Sequence, residues 1–211
     1  DFMNTPSQLL AAVSDSNDPD DGGRYPDDII GWDFEGTGSN LPTPHVLDPS
    51  NPFELHAHGT SVAGIIGAET DNTRGAACTS WFVRLMIIRP DVFHPFGNWD
   101  DEQTGIFRSS AYEAILYAAS KGAHVINISF GGMVTRDGQG KCSGVTGVYN
   151  LDSDKYEAFV PRLNQELVDL HMNRGTSLMV VAAGNCKKNL DHTGVYVWPA
   201  AVSSPSLITV G

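Results

Sequence analysis

A three-layer α/β fold, with a mostly parallel sheet and helices on both faces, is predicted by three features of the sequence. Short apolar runs suited to strands alternate with stretches of helical periodicity. A strand-helix-strand-helix-strand order demands right-handed crossovers and therefore parallel neighbours. The strand candidates 83–88, 125–130 and 178–183 are nearly continuous in apolar residues, as strands covered on both faces must be. Glycine-bearing loops, Ser129-Phe130-Gly131-Gly132 and Ala183-Gly184-Asn185, follow two of these runs at their carboxyl ends, where such sheets bind ligands.

Each element has its own local signal. Residues 14–28 are acidic and broken by Gly and Pro, so they read as a loop. Ile29 to Phe34 reads as a short strand, and 36–56, with Pro42, Pro44, Pro49 and Pro52, as loop again. From His58 to about Glu69 a buried helix is predicted: Val62, Ile65 and Ile66 are apolar, and Gly64 and Gly67 permit close approach. The aliphatic run 83–88 is a strand. Residues 108–121 form an amphipathic helix with Ala111, Ile115 and Ala118 on one face, closed by Gly122. A strand at 125–130 precedes a Gly-rich loop at 131–153. A second amphipathic helix, about 155–174, carries Phe159, Leu163, Leu167 and Leu170 in register and stops at Gly175. Strands at 178–183 and from 206 to 210 complete the order.

Bulk properties narrow the function. A chain of 211 residues buries one sizeable core, which predicts a single domain. A net charge of -12 argues against nucleic-acid backbones and anionic membrane surfaces as partners. No apolar run approaches the roughly 18 residues of a membrane-spanning helix. The polar start at Asp1 does not resemble a signal peptide, so a mature, trimmed or partial chain is expected. Cys78, Cys142 and Cys186 are too few for a disulfide scaffold. Cys142 and Cys186 fall in loops expected at the same end of the sheet, where a disulfide between them is geometrically feasible.

The stretch carrying most chemical information is His58-Gly59-Thr60-Ser61-Val62-Ala63-Gly64. A histidine before small residues at a helix start can serve as the base that activates a hydroxyl nucleophile. The motif resembles His-Gly-Thr-x-Val-Ala-Gly of the subtilisin-like serine proteases (subtilases, peptidase family S8). The same residues also imitate that family's nucleophile motif through Gly59-Thr60-Ser61-Val62-Ala63. The Pro that usually follows the nucleophile is replaced here by Gly64-Ile65-Ile66, and an Ala182-Ala183-Gly184-Asn185 string comes later, in the family order. Ser61 is therefore a helix residue of the histidine motif.

Resemblance extends over nearly the whole chain. Residues 81–89 look like the strand after the histidine helix, and 117–131 like the helix and strand leading to the primary specificity pocket. The resemblance implies a serine endopeptidase working through an acyl-enzyme, with His58 as general base and Asn185 in the oxyanion hole. Ser129, Phe130 and Gly131 would form one wall of the substrate cleft, and Ala183 and Gly184 the other. Implied partners are a protein or peptide substrate and a propeptide, with no nucleic acid and no membrane. The implied location is secreted or extracellular.

Departures from the family pattern are equally specific. Nothing after Asn185 reads Gly-Thr-Ser-x-Ala, and the family's Asp-x-Gly motif that carries the triad aspartate is also absent. Asp33 is a poor substitute for the missing aspartate, since its strand corresponds to a structural one. Ala57 replaces the usual Gly before the histidine. The expectation is a partial subtilisin-like peptidase domain over 1–211, truncated at both ends, with both missing motifs outside it. Such a chain is expected to be inactive in isolation; the alternative is a subtilase-like fragment or pseudoprotease acting as a binding module.

No cofactor is implied with certainty. Asp15, Asn17, Asp18, Asp20 and Asp21 offer oxygen ligands for a structural calcium, without EF-hand spacing. The short loop 71–75 leaves little room for the long calcium loop of some family members. His56 and His58, at i and i+2, can in principle ligate zinc, but the Asp-His partner usual for such sites is missing, and no metal site is assigned.

Overall fold

The computed structural model describes residues 31–34, 46–48, 51–55, 58–90, 110–136, 148–151, 177–185, 189 and 194–211. The chain divides into two units, Asp1–Arg89 and Pro90–Gly211. The predicted helix 155–174, the acidic loop 14–28, Cys142, Cys186 and His56 lie outside the described residues.

In the first unit, β1 (Gly31–Asp33) pairs in parallel with β4 (Ile87–Arg89), Trp32 standing opposite Ile88. The Phe34 amide extends the ladder by donating to the Arg89 carbonyl at 2.8 Å. Gly31 is required by this close approach. Its φ is 142°, and a Cβ there would collide with the Ile87 carbonyl oxygen. Gly31→Val is therefore expected to break the β1–β4 pairing and destabilise the protein by more than about 2 kcal/mol, read as a shifted denaturation midpoint. An unchanged midpoint would show that this pairing contributes little.

The sequence reading placed a strand over 83–88, but residues 83–86 form none. The described ladder is Gly31–Asp33 opposite Ile87–Arg89. The 36–56 segment, read as loop, contains an antiparallel pair, β2 (Val46–Asp48) and β3 (Asn51–Leu55). Pro52 is tolerated in β3 because a two-stranded sheet has only edge strands.

Helix α1 (His58–Gly67) has no fully buried residue. This corrects the expectation of a buried helix. Val62, Ala63, Gly64, Ile66 and Gly67 are half-buried, whereas Ile65 is 64% exposed. Gly67 lets the helix end approach residues 83–85: a Cβ there would lie 2.8 Å from Val83 Cγ1 and 3.0 Å from Leu85 Cδ1. A tight loop follows. Asp71, Thr73 and Gly75 all adopt left-handed φ near 60°. Asn72 Oδ1 accepts from the Arg74 amide at 2.9 Å, and the Cys78 thiol donates to the Ser80 carbonyl at 2.8 Å.

The second unit opens with α2 (Ser110–Ser120). Its C-terminus is a Schellman motif. The Ala123 amide donates to the Ala118 carbonyl at 3.0 Å and the Gly122 amide to the Ala119 carbonyl at 3.2 Å. Gly122 supplies the φ of 79° that this closure needs. Ala111, Ala114, Ile115, Tyr117 and Ala118 are all buried, so the helical stripe predicted from the sequence faces the core.

That core lies under a parallel sheet ordered β10 (Leu207–Val210), β8 (Leu178–Ala182) and β5 (Val125–Ile128). Asn127 stands opposite Val180 and Ile128 opposite Val181, while Val210 stands opposite Ala182. One face packs Ile128, Met179 and Val181 against Ala111 and Ile115 of α2. Full burial of Ile128 or Val181 stabilises by about 1.5–3 kcal/mol each. The alternate row keeps Val125, Ile208 and Val210 half or more exposed. Ser177 ties β8 to the segment before β5, its hydroxyl donating to the Ala123 carbonyl at 2.6 Å.

Residues 131–153, read as loop, contain β6 (Gly132–Arg136) and β7 (Val148–Leu151), paired in parallel. On its other edge β6 pairs antiparallel with β9 (Val195–Trp198). Every residue of β9 is buried, and a turn from Pro199 to Val202 returns the chain to β10. The Thr209 hydroxyl donates to the Ala200 carbonyl at 2.7 Å, which fastens that turn to the sheet. Among the described residues no helix is long and apolar enough to cross a membrane.

Candidate active site

His58 is the first residue of α1, and its side chain is exposed. Gly59 beside it lies in open space, with nothing within 4 Å of a notional Cβ. Ser61 lies one turn further along, also exposed. Its position on the helix agrees with the reading of Ser61 as a helix residue, three positions from His58.

The remaining predicted site residues belong to the second unit. β5 and β8 are adjacent parallel strands with Ile128 opposite Val181. Ser129-Phe130-Gly131 and Ala183-Gly184-Asn185 therefore leave the sheet side by side at its carboxyl end. Ser129, Phe130 and Ala183 are half-buried, and Gly131, Gly184 and Asn185 are exposed. The Asn127 amide side chain donates to Ser129 Oγ at 2.9 Å, orienting the first of these exits. Ala183 is held by donation from its amide to the Val210 carbonyl at 2.8 Å. Gly184 then adopts φ 91°, a turn unfavourable for any side chain, and the chain bends outward at Asn185.

One neighbour of these exits escaped the sequence reading. A Cβ at Gly131 would lie 2.7 Å from the Trp198 carbonyl oxygen, and one at Gly184 would lie 3.7 Å from Val197 Cγ1. Strand β9 thus borders both walls. Its one signal was a run of four strand-forming residues, Val195-Tyr196-Val197-Trp198, between Gly194 and Pro199.

Asp33, which the sequence reading set aside as a triad member, is buried in β1 and bound to Arg89 Nη1 at 3.0 Å. This is a cross-strand pair holding β1 to β4. Arg89→Met takes the guanidinium away from a buried carboxylate and is expected to cost about 1–3 kcal/mol, whereas adding Asp33→Leu should restore most of the loss. Urea denaturation of both variants checks this; a single variant as stable as the parent would remove the pair from the account.

Residues 38–211 match the family model described as Subtilase family. The chain belongs to the subtilase family. Thermitase of Thermoactinomyces vulgaris is 30% identical over 170 residues, covering 81% of this chain and 43% of thermitase. A cell wall-associated protease of Bacillus subtilis (strain 168) is 41% identical over 83 residues, 39% of this chain and 8% of that protein. A thermophilic serine proteinase of Bacillus sp. (strain AK1) is 40% identical over 81 residues, 38% of this chain and 18% of that protein. The chain thus spans less than half the length of each of these relatives. No solved structure gives a significant match. Membership implies the subtilisin α/β fold, with which the parallel sheets agree.

Proposed function

We propose that the protein carrying this chain is a serine endopeptidase that hydrolyses peptide bonds through an acyl-enzyme. The observation that supports it best is the exit of β8. Gly184 turns the chain there so that Asn185 is exposed beside the carboxyl end of β5. An amide donor at that place can bind the oxygen of a tetrahedral intermediate. His58 accepts the proton of the attacking serine and returns it to the leaving amine. The substrate backbone lies between Ser129-Phe130-Gly131 and Ala183-Gly184, where an extended peptide can add to exposed backbone groups.

Residues 1–211 carry no Gly-Thr-Ser-x-Ala motif after Asn185, and their Asp-x-Gly strings, Asp20-Asp21-Gly22 and Asp21-Gly22-Gly23, stand in the acidic Gly/Pro-broken segment and not after an apolar strand run. The proposal therefore takes the orienting aspartate and the nucleophile from segments outside these residues. Both units would then belong to one peptidase domain with helices on both faces of its sheet. A protein substrate, a propeptide and a secreted or extracellular location go with the reading.

Casein hydrolysis by the whole protein, with fluorophosphonate labelling and peptide mapping, tests it. The label is expected on a serine outside residues 1–211, and these residues alone are expected neither to cleave nor to label. A label on Ser61 would overturn the assignment, and no hydrolysis by the folded whole protein would overturn the function.

A further inference from the structure

We infer that Asn127 is a positioning residue for substrate binding: its side-chain amide holds Ser129, and through Ser129 the backbone against which a peptide is laid. The inference rests on the peptidase reading above, which runs the substrate backbone along Ser129-Phe130-Gly131. Asn127 lies inside β5, between Ile126 and Ile128, and asparagine is depleted in strands. Across the sheet it stands in one row with Val180 of β8 and Ile208 of β10. An aliphatic residue would suit that row better, so packing does not account for the amide.

Its hydrogen bond does. Side chains two apart on an extended chain share a face, so Asn127 reaches forward to Ser129. Asn127 Nδ2 donates to Ser129 Oγ at 2.9 Å. The other two wall residues are held differently. Phe130 belongs to the opposite face and packs against the buried cluster that contains Ile128, Met179 and Val181. Gly131 lies against the backbone of Trp198, its Cβ position 2.7 Å from the carbonyl oxygen. Ser129 stands on the face where Val125, Ile208 and Val210 are each half or more exposed, so among the described residues no core fixes it. The Asn127 amide supplies the anchor that packing does not.

A wall already held in one conformation need not be ordered when the peptide arrives, and the peptide binds more tightly for it. A peptide that adds to exposed backbone groups also needs those groups aligned along it. Releasing Ser129 leaves the chemistry at the cleaved bond untouched, because His58 and Asn185 stand on other segments. It weakens the ground state and the transition state alike, and such a loss appears in KM and not in kcat. The loss is also independent of the substrate side chain, since what Asn127 aligns is backbone. Asn127 itself touches no reacting atom and acts only through Ser129.

The test is a double-mutant cycle in the whole protein, read with short peptide substrates. Asn127→Ala and Asn127→Val are each expected to raise KM by about 3–10-fold with kcat changed less than about twofold, the effect of losing one neutral hydrogen bond. Valine is the better strand former and enters an aliphatic row, so that variant keeps the sheet intact. Ser129→Ala should raise KM by a similar factor. Asn127→Ala placed on Ser129→Ala should then add less than about twofold, since the bond is already gone. The rise should be the same for substrates with Ala or Phe before the cleaved bond. A general weakening of β5 would instead add in full in the double variant and lower the denaturation midpoint. Additive losses, a fall in kcat at constant KM, a rise confined to one substrate side chain, or a KM that no folded variant moves overturns the inference while the peptidase reading stands. Absence of cleavage of every peptide and of casein by the folded parent overturns both.

Discussion

Replacing His58 by alanine is expected to lower kcat by about 10⁶-fold in the whole protein, with residual hydrolysis from the oxyanion donor and substrate binding alone. The magnitude is that known for subtilisin. A base and its nucleophile act as a unit, so removing one costs about as much as removing both. The substitution should leave stability within about 0.5 kcal/mol, because the side chain is exposed at a helix start. Loss of activity with an unchanged denaturation midpoint thus separates a chemical role from a folding role. Ser61→Ala supplies the contrast. Ser61 is exposed and alanine is the better helix former, so kcat should move less than about twofold and stability should rise slightly if at all. Should Ser61→Ala abolish activity while His58→Ala retains it, the motif has been assigned the wrong way round.

What the sequence revealed of the fold depended on how local each determinant was. Helix α2 was legible nearly to the residue because its apolar stripe, its alanines and Gly122 all act within a turn of one another. β5 and β8 were legible because their runs are nearly continuous in apolar residues, although only one face of each is buried among the described residues. Length was harder to read. The run 83–88 is mostly aliphatic, yet among the described residues only Ile87–Arg89 pairs, because pairing depends on β1, a segment distant in sequence. The hairpin of β2 and β3 was hidden by its prolines, which forbid central strands and not edge strands. β6 was hidden by the glycines before it and by its partners, Val148–Leu151 and Val195–Trp198, both remote in sequence.

The candidate site divides along the same line. His58, Ser129 to Gly131 and Ala183 to Asn185 stand in short motifs, and the adjacency of their two exits in the second unit follows from the parallel pairing of β5 with β8. Val197 stands in no motif. Its position beside Gly184 arises from antiparallel pairing with β6, which no periodicity announces. Asp33 is set aside from sequence because its strand resembles a structural one in the family, while its ion pair with Arg89 has no local signal. Asp33 is buried and lies 3.0 Å from Arg89, a cross-strand pair that accounts for its place in β1.

Asn185→Ala is the second large effect, an expected fall in kcat of about 10²–10³-fold with KM nearly unchanged. The split follows from when the interaction forms. A carbonyl oxygen in the ground state carries little charge, whereas the tetrahedral intermediate carries a full one, so a donor placed for the latter adds little to substrate binding. Such a donor works only if it is already in place, and the structure holds the platform beneath it firmly. β8 is the central strand between β5 and β10, and the amide of Ala183 is tied to the Val210 carbonyl at 2.8 Å. The residue itself is exposed, so alanine should change stability by less than about 0.5 kcal/mol. Asn185→Asp keeps the size but exchanges a donor for a negative charge facing the developing oxyanion, and should be slower than Asn185→Ala. A fall that appears in KM instead, or an aspartate variant faster than the alanine one, would mean that Asn185 contacts the bound substrate and not the oxyanion.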